Sequence, residues 1–95
     1  MRTLEILNLG REHGISPSAM HPLLAVMSDP PMMPANIARI CRISPAAVTG
    51  AIGVLKRRGW LERVTNQDRR AKPVMPTEKA FTIFEAAIEE QEAGV

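Results

Sequence analysis

Aromatic side chains are scarce in this sequence of 95 residues, which has one Trp, two Phe and no Tyr. Hydrophobic residues still make up 45% of the chain, so its core must be built from Leu, Ile, Val, Ala and Met. A chain of this length supports one domain with a small core. Cores of this kind often gain stability from a second subunit, and we expect a homodimer.

Cysteine and long apolar runs are also scarce. The single cysteine, Cys41, excludes an internal disulfide and suits a reducing compartment. No apolar run approaches the roughly 20 residues that a membrane span needs, and the N-terminus is too short and too charged for a signal peptide. We therefore expect a cytoplasmic protein with no membrane partner. Cys41 could be a redox sensor, but its place on an apolar stripe with Ile37 favours a core thiol.

Groups suited to catalysis or metal binding are few. His13 and His21 have no acidic or cysteine neighbours at metal-ligand spacing. No pair of carboxylates is placed for acid–base chemistry, and Gly50 and Gly53 lie inside a predicted helix rather than in a phosphate-binding loop. The sequence predicts no enzyme activity, no cofactor and no metal.

Acidic residues are missing from the middle of the chain. Residues 39–72 hold nine of the twelve Lys and Arg but only Glu62 and Asp68, a net charge of +7. The remaining residues hold three cations and eight acids, a net charge of −5, so the whole chain has a net charge of +2. A basic middle of this kind indicates a surface that meets a polyanion such as nucleic acid.

Apolar periodicity and capping residues predict five helices and one hairpin. Gly14 and Gly59 are placed to end helices, and Ser16 and Ser44 to cap them. The helices are predicted at about 2–13, from Pro17 up to Asp29, from Pro34 to about Cys41, at 45–58, and from Thr77 onward. A brief extended segment is expected at Met32 and Met33, and strands at "WLERVT" and "AKPVMP".

The third and fourth predicted helices meet at a tight corner formed by Ile43 and Ser44. Two helices joined in this way form a helix-turn-helix, and the hairpin that follows makes it winged. The predicted fold is therefore mainly α with a small β-hairpin, a winged helix-turn-helix in a single domain over 1–95.

Residues 36–80, "NIARICRISPAAVTGAIGVLKRRGWLERVTNQDRRAKPVMPTEKA", resemble the MarR family of bacterial transcription regulators. The exit from the fourth helix, 58–61, and the wing at 68–70 carry the resemblance, which covers about half the chain. The resemblance implies a winged helix-turn-helix that dimerises through its terminal helices, here 1–14 and 77–95. It also implies binding to pseudo-palindromic duplex DNA, often as a repressor; the effector is unknown. A glycine is common in this family at the corner that Arg42 occupies.

The fourth helix, with Val48, Ile52 and Leu55 turned inward, presents small residues outward. Only Thr49 offers a hydroxyl, and the alanines can touch a thymine methyl. The two glycines either let the helix lie deep in a groove or reflect drift or close packing. Lys56 and Arg57, at the C-terminal end of this helix, either contact DNA phosphates or only offset the helix dipole.

The hairpin tip gathers cations around one carboxylate. Asp68 and Arg70 share one side of an extended strand, so they can pair and leave Arg69 for the minor groove. A solvated turn is the alternative. The predicted DNA-binding residues are Ser44, Ala46, Ala47, Thr49, Gly50, Gly53, Lys56, Arg57, Asp68, Arg69, Arg70 and Lys72.

These features predict a DNA-binding transcription regulator, with a recognition helix in the major groove and a basic wing in the minor groove. The alternative is a winged-helix protein-interaction module, an adaptor or inhibitor that does not bind DNA specifically. The recognition helix has few side chains that can hydrogen-bond to bases, which favours the alternative. The basic wing favours DNA binding.

Overall fold

The computed structural model describes residues 2–64 and 72–93 and confirms the predicted mainly α fold with a small hairpin. The elements follow one another in the predicted order. They are α1 (Arg2–Glu12), α2 (Pro17–Ser28), α3 (Pro34–Cys41), α4 (Pro45–Arg57), β1 (Leu61–Arg63), β2 (Val74–Pro76) and α5 (Glu78–Ala93).

Two glycines end helices as predicted. Gly14, with φ +78°, follows α1, and the amide of Ile15 donates back to the carbonyl of Gly10 at 2.8 Å. Gly59, with φ +81°, ends α4 in the same way. Both positions need the left-handed conformation that glycine adopts without steric cost, and the returning hydrogen bonds satisfy carbonyls at the helix end.

The two predicted serine caps differ. The hydroxyl oxygen of Ser44 accepts the amide of Ala47 at 3.1 Å and caps α4. Ser16 occupies the same position before α2, but its side chain makes no capping bond. The Ser16 hydroxyl lies 3.1 Å from the hydroxyl of Ser18 instead. Ser16 is therefore the N-cap residue of α2 with Pro17 in its first turn, as predicted, but its side chain forms no capping hydrogen bond.

The core is aliphatic around two large aromatic side chains, Trp60 and Phe84. Helix α2 packs against α3, α4 and β2, and α1 packs against α2 and α5. Burial of these faces stabilises the fold by about 25 cal/mol for each Å² of apolar surface removed from water. The largest fully buried side chains besides the aromatic pair are Met20, Leu23, Ile37, Leu55, Leu61, Val26, Val48 and Val74.

Helices α3 and α4 form the helix-turn-helix, and the chain bends by 112° between them. That angle lies in the range expected of the motif. In the described ranges no single helix is long and apolar enough to cross a membrane. Helices α3 and α4 taken together have the length and composition of a membrane span, but the chain is sharply bent between them.

The hairpin is short, with β1 pairing antiparallel with β2. Met32 adds an isolated bridge on the far side of Val74, with both amide-to-carbonyl distances at 2.9 Å. The extended segment predicted at Met32 is thus confirmed. Both strands are shorter than predicted, and the tip at 65–71 lies outside the described residues.

Arg42 is a residue other than glycine with a positive φ, at φ 56° and ψ 46°. It ends α3 in the left-handed region, which costs a side-chain-bearing residue about 1–2 kcal/mol. Glycine would relieve this strain, although its greater freedom in the unfolded chain offsets part of the gain.

We expect Arg42→Gly to raise the free energy of unfolding by about 0.5–1 kcal/mol, since it removes the left-handed strain. Urea denaturation followed by circular dichroism measures the change. Arg42→Ala is the control, because alanine removes the charge but keeps the strain. Equal stabilisation by both variants would show that charge repulsion, not backbone strain, is relieved.

Candidate nucleic-acid interface

Helix α4 turns an apolar face inward and small residues outward. Val48, Ile52 and Leu55 are buried against α2 and α3. Ala46 and Thr49 are exposed on the other side, and Gly53 is half-buried. The inward face thus agrees with the predicted one, and contact of the outward face with DNA stays a prediction.

Two hydroxyls mark the N-terminal half of α4. Because the Ser44 oxygen accepts the Ala47 amide, its hydroxyl proton can be donated to a phosphate. The Thr49 hydroxyl donates to the carbonyl of Pro45 at 3.0 Å. With its proton engaged inside the helix, Thr49 is left as an acceptor, suited to an amino group of adenine or cytosine.

The predicted base-reading set divides between two flanks of α4. Ala47 and Gly50 are exposed but border a hollow of about 390 Å³ between α4 and the N-terminal half of α2. His21 and Pro22 of α2 and Cys41 of α3 also line this hollow. The outward face that remains for base contact is therefore centred on Ala46, Thr49 and Gly53.

Cys41 lies half-buried at the end of α3. Partial burial raises the pKa of the Cys41 thiol above its ordinary value. Since only the thiolate is reactive, a raised pKa keeps this group protonated at neutral pH and favours the apolar role over redox sensing. In the part of the chain that the structure describes, no group of three or more His, Cys, Asp and Glu is arranged to hold a metal ion.

Exposed cations lie on both helices of the motif. Lys56 and Arg57 are exposed in the last turn of α4. Arg39, which donates to Asn36 at 3.3 Å, and Arg42 are exposed on and after α3. The set predicted from sequence lacked Arg39 and Arg42, although the charge concentration over 39–72 includes both.

The base of the hairpin is held by one of its arginines. The Arg63 guanidinium donates to the carbonyl of Lys72 at 2.7 Å, and the Val64 amide donates to the carbonyl of Pro73 at 2.9 Å. Lys72 is exposed. The predicted wing residues Asp68, Arg69 and Arg70 lie outside the described residues, and their contact with DNA stays a prediction.

A bent helix pair followed by a two-stranded hairpin defines the winged helix-turn-helix class. Within that class the chain belongs to the MarR family, whose sequence profile matches residues 13–71. This match confirms the resemblance seen in the sequence. It extends from the end of α1 through the helix-turn-helix into the hairpin tip.

Solved structures of regulators share the fold. FabT of Streptococcus pneumoniae, solved in complex with DNA, is 27% identical with a TM-score of 0.80, over 97% of this chain and 66% of that one. The transcriptional regulator Tm0710 of Thermotoga maritima is 26% identical with a TM-score of 0.79, over 97% and 65%. A variant of S. aureus MepR bound to an oligodeoxyribonucleotide, 17% identical with a TM-score of 0.78 over 96% and 68%, shares the fold alone.

The chain spans about two thirds of the length of these solved structures. A search of curated proteins found no significant match. The family and fold of the chain are therefore established, and its activity and partners are matters for proposal.

The two interpretations of the α4 glycines lead to a test at Gly50. A Cβ built there meets nothing within 4 Å, so we expect Gly50→Ala to raise the free energy of unfolding by about 1 kcal/mol through helix propensity. Thermal denaturation measures this gain. If the glycine serves close approach to DNA, the same variant must also bind duplex DNA more weakly; unchanged binding would contradict that interpretation.

Gly10 in α1 supplies the control for this substitution. A Cβ there would lie 2.7 Å from the Met20 sulfur, so Gly10→Ala should destabilise the protein. Stabilisation by both alanines would contradict the packing described around α1.

Proposed function

We propose that this chain is a DNA-binding transcription regulator that acts by binding rather than by catalysis, in the cytoplasm. The observation that carries the proposal is the set of exposed cations near the C-terminal ends of the two helices of the helix-turn-helix, Arg39 and Arg42 on and after α3 and Lys56 and Arg57 in α4. They lie within the segment of net charge +7. The similarity to FabT, a structure solved in complex with DNA, supports the same conclusion.

The dimensions of α4 suit the major groove of duplex DNA. Its 13 residues span roughly 20 Å, and the groove is about 12 Å wide and admits a helix. Lys56 and Arg57 would contact phosphates, which position a protein without reading bases. Base reading is left to the Thr49 oxygen and the Ala46 methyl, so we infer that phosphate contacts supply most of the affinity.

The wing would add a second contact in the minor groove. A narrow minor groove attracts arginine through its enhanced negative potential. Arg69 is the candidate from the sequence, because Asp68 can pair with Arg70 and leave Arg69 for the groove. Lys72 is an exposed cation at the hairpin base. Such contacts add affinity with little sequence preference.

We expect binding to duplex DNA to depend steeply on salt, because phosphate contacts release counterions. If a dimer contacts about 6–10 phosphates, its affinity should fall by about 10³–10⁵-fold between roughly 50 and 200 mM salt. Fluorescence anisotropy with a labelled 30-base-pair duplex measures this slope. Absence of binding at about 50 mM salt would refute the proposed function.

A winged-helix protein-interaction module is the second candidate. The outward face of α4 favours it, because Ala46 and Gly53 offer no hydrogen bond to a base and the Thr49 proton is already engaged. That module would bind DNA weakly at low salt, if at all, and show no preference for any duplex. The salt titration therefore separates the two candidates.

We further propose that two copies associate through α1 and α5, which pack against each other within the chain. Leu4 on α1 is 52% exposed. Phe81, Ile83 and Ala87 on α5 are only half-buried. A two-fold dimer would place two α4 helices about 34 Å apart, one turn of DNA.

Replacing Leu4 tests this association. We expect Leu4→Ser to raise the dimer dissociation constant by at least about tenfold, since the interface loses apolar burial. Sedimentation equilibrium measures the constant, and Ala35→Ser, at an exposed position of α3, a helix that packs against α2 and α4, is the control. A wild-type protein that stays monomeric at tens of micromolar would contradict the dimer.

A further inference from the structure

Three helices meet around Trp60, just after the end of α4. Trp60 is only 2% exposed, and its ring centroid lies 5.2 Å from that of Phe84 on α5. The ring of His13, at the end of α1, meets Trp60 edge-on at 5.8 Å. The ammonium of Lys79 lies 4.0 Å above the Trp60 ring. Trp60 therefore touches α1 and α5, the helices of the proposed dimer contact.

Two backbone hydrogen bonds fix the turn that follows α4 and leads into Trp60. The Gly59 amide donates to the carbonyl of Lys56 at 3.1 Å, and the Trp60 amide to that of Leu55 at 2.8 Å. This paired arrangement fixes the chain direction at a helix end. Arg58, at the cap position, consequently has a defined place relative to the helix axis.

The Arg58 side chain leaves α4 and reaches α1. Its guanidinium donates to the carbonyl of Gly14 at 2.6 Å, across 44 positions of sequence. Gly14 is the residue that ends α1. A cation at this place is also favoured by the negative end of the α1 dipole. One side chain thus joins the C-terminal ends of α1 and α4.

Helix α5 is tied to the same turn by its first residues. The Lys79 ammonium donates to the Arg58 carbonyl at 3.0 Å. The Thr77 hydroxyl donates to the Gly59 carbonyl at 2.6 Å, while its amide donates to the Trp60 carbonyl at 3.1 Å. The exit of α4 is therefore held from both sides, by α1 through Arg58 and by α5 through Thr77 and Lys79.

We propose that Arg58 is a positioning residue, which sets the orientation of the recognition helix α4 relative to α1 and α5 and does not act as a phosphate contact. This inference rests on the proposed function. In a dimer held by α1 and α5, a fixed angle between these helices and α4 sets the separation of the two recognition helices. Arg58 thereby acts on DNA affinity through α4.

Arg57 gives a matched comparison, because it is the preceding residue, carries the same charge and is exposed in the last turn of α4. Arg57→Gln and Arg58→Gln remove one charge each. A role in phosphate binding predicts similar effects, whereas a positioning role predicts different ones.

Pulsed electron paramagnetic resonance tests the orientation directly and without DNA. Spin labels at Glu5→Cys on α1 and Ala46→Cys on α4, in a Cys41→Ala background and diluted with unlabelled protein, report the distance between the two helices. We expect a narrow distribution that Arg58→Gln broadens or shifts and Arg57→Gln leaves unchanged. An unchanged distribution in Arg58→Gln would overturn the proposal.

DNA binding supplies the second measurement. Arg58→Gln should weaken binding about two- to tenfold, as expected for one lost hydrogen bond, with no change in the slope of log K against log salt. Arg57→Gln should flatten that slope by about 0.9 for each lost phosphate contact. Equal flattening by both variants would identify Arg58 as a phosphate contact and overturn the positioning role.

Folding and the proposed function are kept separate by two controls. Trp60 is the one tryptophan of the chain, so its emission shows whether each variant is folded. If Arg58→Gln does not fold, Arg58→Lys replaces it, because lysine keeps the charge but not the length and planar geometry of the guanidinium; broadening is again expected, and an unchanged distribution would overturn the proposal. If wild type fails to bind DNA at low salt, the proposed function fails, while the distance measurement still decides whether Arg58 holds α4.

Discussion

The burial of Trp60 is the interaction on which the arrangement of the helices depends. In a core that is otherwise nearly all aliphatic, this ring is in contact with Phe84 on α5 and with His13 at the end of α1. Loss of a buried tryptophan typically costs about 3–5 kcal/mol, a large part of the stability of a small domain. The Gly59 turn that precedes Trp60 directs it inward, so the end of α4 and the core are specified together.

The local elements could be predicted from the sequence because their signals are local. Gly14, Gly59 and Ser44 act within one helical turn, and each functions as its residue type predicts. Ser16 occupies the predicted N-cap position, but its hydroxyl lies beside that of Ser18, and the sequence alone does not show which partner a capping hydroxyl takes. The bond from Arg58 to Gly14 joins residues 44 positions apart, so no periodicity or spacing signals it. The helices could therefore be predicted from the sequence, whereas the hydrogen bond that joins the ends of α1 and α4 could not.

The candidate DNA interface could also be predicted from the sequence only in part. A periodicity of 3.6 residues separates the buried face of α4 from the exposed one, and Val48, Ile52 and Leu55 are buried as that rule predicts. It does not show that α2 lies beside one flank, where Ala47 and Gly50 border a hollow. The charge pattern over 39–72 located the basic region, while the particular cations Arg39 and Arg42 became candidates only once the fold showed them exposed on and after α3.

The cations of this region serve two physical purposes, which their surroundings separate. Arg58 and Lys79 donate to backbone carbonyls at the ends of α1 and α4, where a positive charge is favoured by the helix dipole. Lys56 and Arg57, which directly precede Arg58, are exposed in the last turn of α4 and, within the described residues, donate to neither helix end; their charges add to a field of one sign that destabilises the compact state by self-repulsion. A bound polyanion would relieve that repulsion and leave the hydrogen bonds of Arg58 and Lys79 unchanged. Net charge alone therefore overstates the number of contacts available to DNA, because part of it is already used in holding the helices together.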